Sequence, residues 1–178
     1  MSLANLEELF VHEVKDLYDA EKQILKALPK IIKTVESEEL RTALEEHRAV
    51  TETHVERLEE VFKLLQKPAR GKKCAGMEGL LKEGSSLLEE DAEPAVLDAG
   101  VIGAAQKVEH YEICAYGTLI AFAQELGYDE IGKLLEKTLE EEKEADDTLS
   151  EIAAAVNTAA CQCGEEEEEE EAVAAKRK

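Results

Sequence analysis

Tryptophan is absent from this chain of 178 residues, and phenylalanine and tyrosine together make up only 4% of it. Proline occurs three times, and runs of β-branched residues are few, so little of the chain can be strand. No apolar run approaches membrane-spanning length. The opening MSLANLEELFVHEVKD lacks the basic segment and apolar stretch of a secretory signal. Paired CxxC motifs, glycine-rich phosphate loops and nucleophile motifs are all missing, which leaves hydrolase, kinase and rubredoxin-like readings without support. The four cysteines, Cys74, Cys114, Cys161 and Cys163, form no paired framework. Even the CxC of Cys161 and Cys163 reads as incidental thiols, so a reducing, cytoplasmic setting is expected.

Positive charge is also scarce: 21 lysines and arginines face 42 acids, a formal net charge of −21. The end of the chain, Gly164 to Lys178, contributes −4 of this, which leaves −17 on the body. Such a field argues against nucleic acid and anionic membranes as partners and leaves cations and basic partners open.

What the chain has in abundance is Ala, Leu, Glu and Lys, and the fold class expected is all-α. Leu6, Phe10, Val14, Leu17, Ile24, Leu28, Ile31 and Val35 recur at three–four spacing and predict a helix over about Asn5 to Val35. Asn5 and Glu8 resemble a capping box, and Pro29 predicts a kink. Ser37 caps a second helix to about Gln66, and a short helix is expected across Met77 to Glu89. The third long helix spans Pro94 to Leu126 and ends at Gly127; the fourth runs from Asp129 to about Asn157. Two hairpins with short turns, joined by one long crossover, make the connectivity of a ferritin-like four-helix bundle. It is expected over residues 1–160, with residues 161–178 an acidic, disordered tail carrying the run Glu165 to Glu171.

Each long helix places a charge or imidazole on its apolar stripe. Glu21 does so in the first, His47 and His54 in the second, Glu112 with Glu109 one turn before it in the third, and Glu142 with Asp146 beside it in the fourth. Counting outward from turns near residues 37 and 128 puts Glu21 level with His54, and Glu112 level with the segment between Glu142 and Asp146. Carboxylates and an imidazole gathered in a core cannot all stay ionised without a cation. A pair of divalent metals resolves the conflict, and oxygen and nitrogen donors suit iron, manganese or zinc. His47, deeper along its helix, is expected to be structural or supporting, and His12 and His110 to lie off the stripes. Tyr18 and Tyr116 are expected as core-edge aromatics able to hydrogen-bond the ligands.

The stretches ELFVHEVKDLYDAEKQIL, THVERLEEVF, KKCAGMEGLLKEG, AAQKVEHYEICAYGTL and LLEKTLEEEKEADDTLSEIA resemble the YciF/YciE-type ferritin-like stress proteins, over roughly residues 3 to 155. The resemblance implies a rubrerythrin-like bundle with a di-metal centre, often dimeric, in a bacterial stress-response setting. Glu109-x-x-Glu112 is similar to the paired glutamates of rubrerythrin helix three. The chain departs from that pattern in having no Glu-x-x-His, and in carrying Ala49 and Val50 where relatives often have acids.

The metal ligands expected are therefore Glu21, His54, Glu109, Glu112, Glu142 and Asp146. They would hold two irons per chain, or manganese or zinc, in a homodimer with oxidase- or peroxidase-type activity on iron or peroxide. The alternative is a non-catalytic, dimeric stress-induced binding protein with a degenerate site.

Overall fold

The computed structural model describes residues 3–176, and side chains over residues 3–163. Among the described residues the chain forms five α-helices and no strand: α1 Leu6–Thr34, α2 Glu38–Leu64, α3 Ala75–Leu87, α4 Pro94–Glu125 and α5 Asp129–Lys176. The four long helices, α1, α2, α4 and α5, are those expected, and the bundle is all-α.

Local chemistry accounts for the boundaries. The Asn5 side chain accepts the Glu8 amide at 2.8 Å and starts α1, while Glu8 Oε2 accepts the Ala4 amide at 2.8 Å. α1 continues through Pro29 as one helix. The Ser37 hydroxyl accepts the Leu40 amide at the start of α2. Pro94 occupies the first turn of α4, where its missing N–H costs nothing. Gly127, at φ 70°, takes the left-handed conformation that ends α4 and lets the chain reverse into α5. α5 extends beyond the boundary expected near Asn157 and runs to Lys176. No proline interrupts it, and the residues after Asn157 are largely helix-forming Ala and Glu.

α1 packs on α2 and α4 on α5, and the two hairpins close through α2–α5 and α1–α4 contacts. Their turns lie at opposite ends of the bundle. Asp98 of α4 reaches the α1–α2 turn, and Tyr128 of the α4–α5 turn stacks edge-on against Phe10, ring centroids 5.7 Å apart. The core between them is built from Phe10, Leu17, Ile24, Leu58, Leu119 and Leu135, each 2% exposed or less, and their neighbours. Each such side chain stabilises the fold by about 1.5–3 kcal/mol relative to exposure.

The crossover helix α3 lies over α1 and α4. It comes that close because two glycines leave room: a Cβ on Gly76 would meet the Tyr111 ring at 2.8 Å, and one on Gly100 would collide with Leu87. The Cys74 Sγ caps α3, at 3.4 Å from the Met77 amide.

Candidate metal centre

Halfway along the bundle the apolar core gives way to acids. Glu21 of α1, Glu109 and Glu112 of α4 and Glu142 of α5 are all 2% exposed or less, and His54 of α2 is wholly buried. The level expected for Glu21 and His54 holds: His54 Nδ1 is 3.6 Å from Glu21 Oε1, and it is 2.9 Å from Glu142 Oε1. Donor atoms of Glu21, His54 and Glu142 lie within 4.8 Å of one another, and so do those of His47, Glu109 and Glu142. Glu142 belongs to both groups.

Seven buried polar atoms here have no hydrogen-bond partner: Glu21 Oε2, His54 Nδ1, Glu109 Oε2, and both oxygens of Glu112 and of Glu142. His54 Nδ1 and Glu142 Oε1 are close but not aligned for a hydrogen bond. The polar atoms that are partnered hold these side chains in place. His54 Nε2 lies 3.0 Å from Glu141 Oε2, and Arg57 grips Glu141 with two nitrogens and donates to Thr138 Oγ1 at 2.8 Å. With Nε2–H directed at Glu141, Nδ1 is the ring nitrogen that faces the acids; it carries a proton in the metal-free chain and would offer its lone pair only once that proton is lost. Tyr116, completely buried, donates its hydroxyl to Glu21 Oε1 and leaves Oε2 free.

The electrostatics show the cost of this arrangement. Burial pushes the Glu109 and Glu112 carboxyls well above the ordinary carboxylate value, with neighbouring carboxylates adding to the shift, and burial likewise raises Glu21. Burial opposes charge on His54, but contact with Glu142 and Glu21 overrides it and pushes the imidazole up to about 10. Burial works to raise Glu142 too, yet His54 holds it below its usual value. His47 is lowered by burial, with Glu142 acting against the shift. Without metal, protons do the compensating, and metal binding would displace them.

Of the six residues expected, Glu21, His54, Glu109 and Glu142 stand in the two donor groups, Glu112 adjoins them without belonging to either, and Asp146 is left aside. Asp146 sits one turn beyond Glu142, where Oδ1 accepts from Gln106 Nε2 at 3.2 Å and lies 3.4 Å from His110. Four residues on from Glu142 it shares that face only to within about 40°, and its side chain lies at the rim, 20% exposed. His47, expected to be supporting, stands instead in the cluster, with Nε2 3.5 Å from Glu109 Oε1. Its signal was its position seven residues before His54 on the same stripe, paired with Glu109 one turn before Glu112. Glu141 and Arg57 had no signal, because both lie in charged runs typical of solvated faces. Tyr18 is turned away from the cluster and donates to Glu59 at 2.8 Å. Lys107, on the same helix as Glu112, pairs with Glu83 of α3. Ala49 is exposed, so an acid there would point to solvent; Val50 lines a cavity beside His47 and Glu109.

The donor set fits metal. Four carboxylates and two imidazoles converge from four helices without a thiolate, and their formal charge matches that of two divalent ions.

The comparisons with known proteins agree with the resemblance seen in the sequence. The chain is 41% identical to protein YciF of Escherichia coli strain K12 over 154 residues, which cover 86% of this chain and 93% of that protein. The crystal structure of the Escherichia coli stress protein YciF superposes with a TM-score of 0.85 at 39% identity, covering 88% of this chain and 99% of the other. YcfI from Rhodopseudomonas palustris matches at 44% identity and a TM-score of 0.82, over 84% and 95% of the two chains. Residues 5–162 match the DUF892 family model, described as a domain of unknown function. On the sequence match, the shared bundle and the relatives alike, the chain belongs to the DUF892 family and is a YciF-type protein.

Proposed function

We propose that this chain is a di-metal carboxylate protein, with iron the favoured ion, acting in iron or peroxide handling during stress. The observation that carries this reading is the convergence of seven unpartnered buried polar atoms on one point of the bundle. Evolution toward stability alone would replace such a cluster with apolar side chains, because buried unpaired charge is strongly unfavourable. The description of YciF as a stress protein supports the physiological setting.

Glu21, His54 and Glu142 would hold one ion, and His47, Glu109 and Glu142 the other, with Glu112 adjoining both groups. Bound iron would supply one-electron redox chemistry that no side chain here provides. The protein's own part is to position, to exclude water and to manage protons. Glu141, fixed by Arg57, orients His54 so that Nδ1 faces the acids. Tyr116 fixes Glu21 through one oxygen. The core packed around the cluster keeps water out, which strengthens each electrostatic contact. Protons held on the Glu109 and Glu112 carboxyls and at His54 Nδ1 are the ones released on loading.

Anaerobic titration of the metal-free protein with Fe²⁺, followed by air or peroxide, tests the reading. About two irons per chain are expected, with oxidation seen in the near ultraviolet and lost in Glu21→Ala and Glu112→Ala. Wild-type protein that takes up no stoichiometric iron, manganese or zinc would overturn it. In that event the bundle is a non-catalytic binding protein, and sedimentation would show whether it acts as a homodimer.

A further inference from the structure

Beside the centre lies a cavity of about 180 Å³ walled by α1, α2, α3 and α4. The walls are hydrocarbon, with Ile24 and Leu28 on one side, Leu80 and Leu81 on another, and Val101 and Val108 on a third. Polar groups interrupt them at two places. His47 and Glu109 line the interior with side chains 11% and 3% exposed, and Glu109 Oε2 is one of the atoms without a partner. Lys26 and Lys30, one turn apart on α1, also line the cavity but are exposed, and so mark its rim. None of the ion pairs among the described residues uses either lysine. In a chain whose acids outnumber its bases two to one, these two ammonium groups give the apolar opening a local positive rim.

The combination selects a ligand class. Hydrocarbon walls exclude strongly hydrated molecules, the inner end offers an anionic head an acid and a buried imidazole but no ammonium group, and the lysines at the rim attract one. A concavity built by four helices, apolar with few polar groups, has the form of a small-molecule site. A cavity of about 150 Å³ accommodates benzene, so this one takes a chain of roughly six to eight carbons. We propose that it binds an unbranched aliphatic carboxylate of that length. The head lies on Lys26 and Lys30, and the hydrocarbon end points toward His47 and Glu109. The site needs no metal, so it goes beyond the di-metal reading and is tested apart from it.

Calorimetric titration of the metal-free full chain with carboxylates from butanoate to dodecanoate, beside octanol and octyltrimethylammonium, decides the matter. Affinity is expected to rise about three- to fourfold per methylene and to level off near octanoate. Lys26→Glu with Lys30→Glu, both on the surface, should weaken octanoate about tenfold and leave octanol unchanged. Ala104→Leu, which fills part of the cavity, should move the levelling point to a shorter chain.

Absence of binding at millimolar octanoate, equal affinity in the double lysine variant, or preference for octyltrimethylammonium would overturn the proposal. So would a concentration-dependent dimer, broken by the lysine changes, in protein that binds no alkyl ligand; a second copy would then cover the cavity. Metal titration of the same samples separates the two readings, since octanoate binding without metal uptake rejects only the di-metal centre, and the reverse rejects only the cavity.

Discussion

Asp98 and Glu112 are both acids of α4, and both are almost wholly buried, at 3% and 1% exposure. Asp98 accepts the backbone amides of Glu36 and Ser37 at 3.1 and 2.7 Å, one on each oxygen, and so ties α4 to the α1–α2 turn. Glu112, in the middle of the bundle, has no partner for either oxygen. Burial alone therefore says little about function. A buried acid with its hydrogen bonds made is part of the scaffold; one without them marks a place prepared for something else.

The sharpest way to break the comparison is to load the metal. Saturating Mn²⁺ or Fe²⁺ should raise the denaturation midpoint by an amount equivalent to about 4 kcal/mol at a thousandfold excess over the dissociation constant. Glu142→Ala should abolish that gain, because Glu142 serves both groups, while Asp98→Ala should leave it intact. Without metal the Asp98→Ala variant should lose about 2–4 kcal/mol in urea denaturation, since two amides at a helix start lose a charged acceptor.

A smaller effect tests the support of the site. Arg57→Met frees Glu141 and loosens His54, and should weaken metal binding about 10–100-fold in competition with a chelator while the fold persists. Smaller still, Glu112→Met should stabilise the metal-free chain by about 1–2 kcal/mol, the opposite sign to Asp98→Ala, because it removes an unpartnered buried acid.

Dependence on pH carries the same contrast. Burial and neighbouring carboxylates keep Glu109 and Glu112 protonated in the fold well above the ordinary value of 4.5. Their stabilising contribution is full below 4.5 and is lost as pH rises through the raised values. His54 acts in the same direction, its contribution full below 6.5 and lost as pH rises through about 10. Glu142, held below 4.5, contributes the reverse and loses its share only as pH falls through its lowered value. In chelator, the urea midpoint should therefore fall as pH rises from about 4.5 toward about 10, and Glu112→Gln should flatten that slope.

The bundle was legible because its signals are local: caps at Asn5 and Ser37, Gly127 after α4, and stripes long enough to define each face. The site was legible in part for the same reason. Glu21, His54, Glu112 and Glu142 interrupt apolar stripes, and symmetry about the hairpin turns fixed their levels. Asp146 was misplaced because a residue four positions from a core acid shares its stripe only approximately, and here the helix turns it to the rim. His47 was undervalued because the turn count compares helices within a hairpin, whereas its partner Glu109 comes from the other hairpin. Glu141 and Arg57 remained hidden for the same cause: the α2–α5 contact joins residues 84 positions apart.

Both candidate groups draw on both hairpins, Glu21 and His54 from one joining Glu142 of the other, and His47 from one joining Glu109 and Glu142. An ion held in either would act as a rivet through the seam between the hairpins. Its residence time would then be set less by the strength of its bonds than by how often that seam breathes, and amide hydrogens along α2 and α5 would exchange on the same clock as the metal.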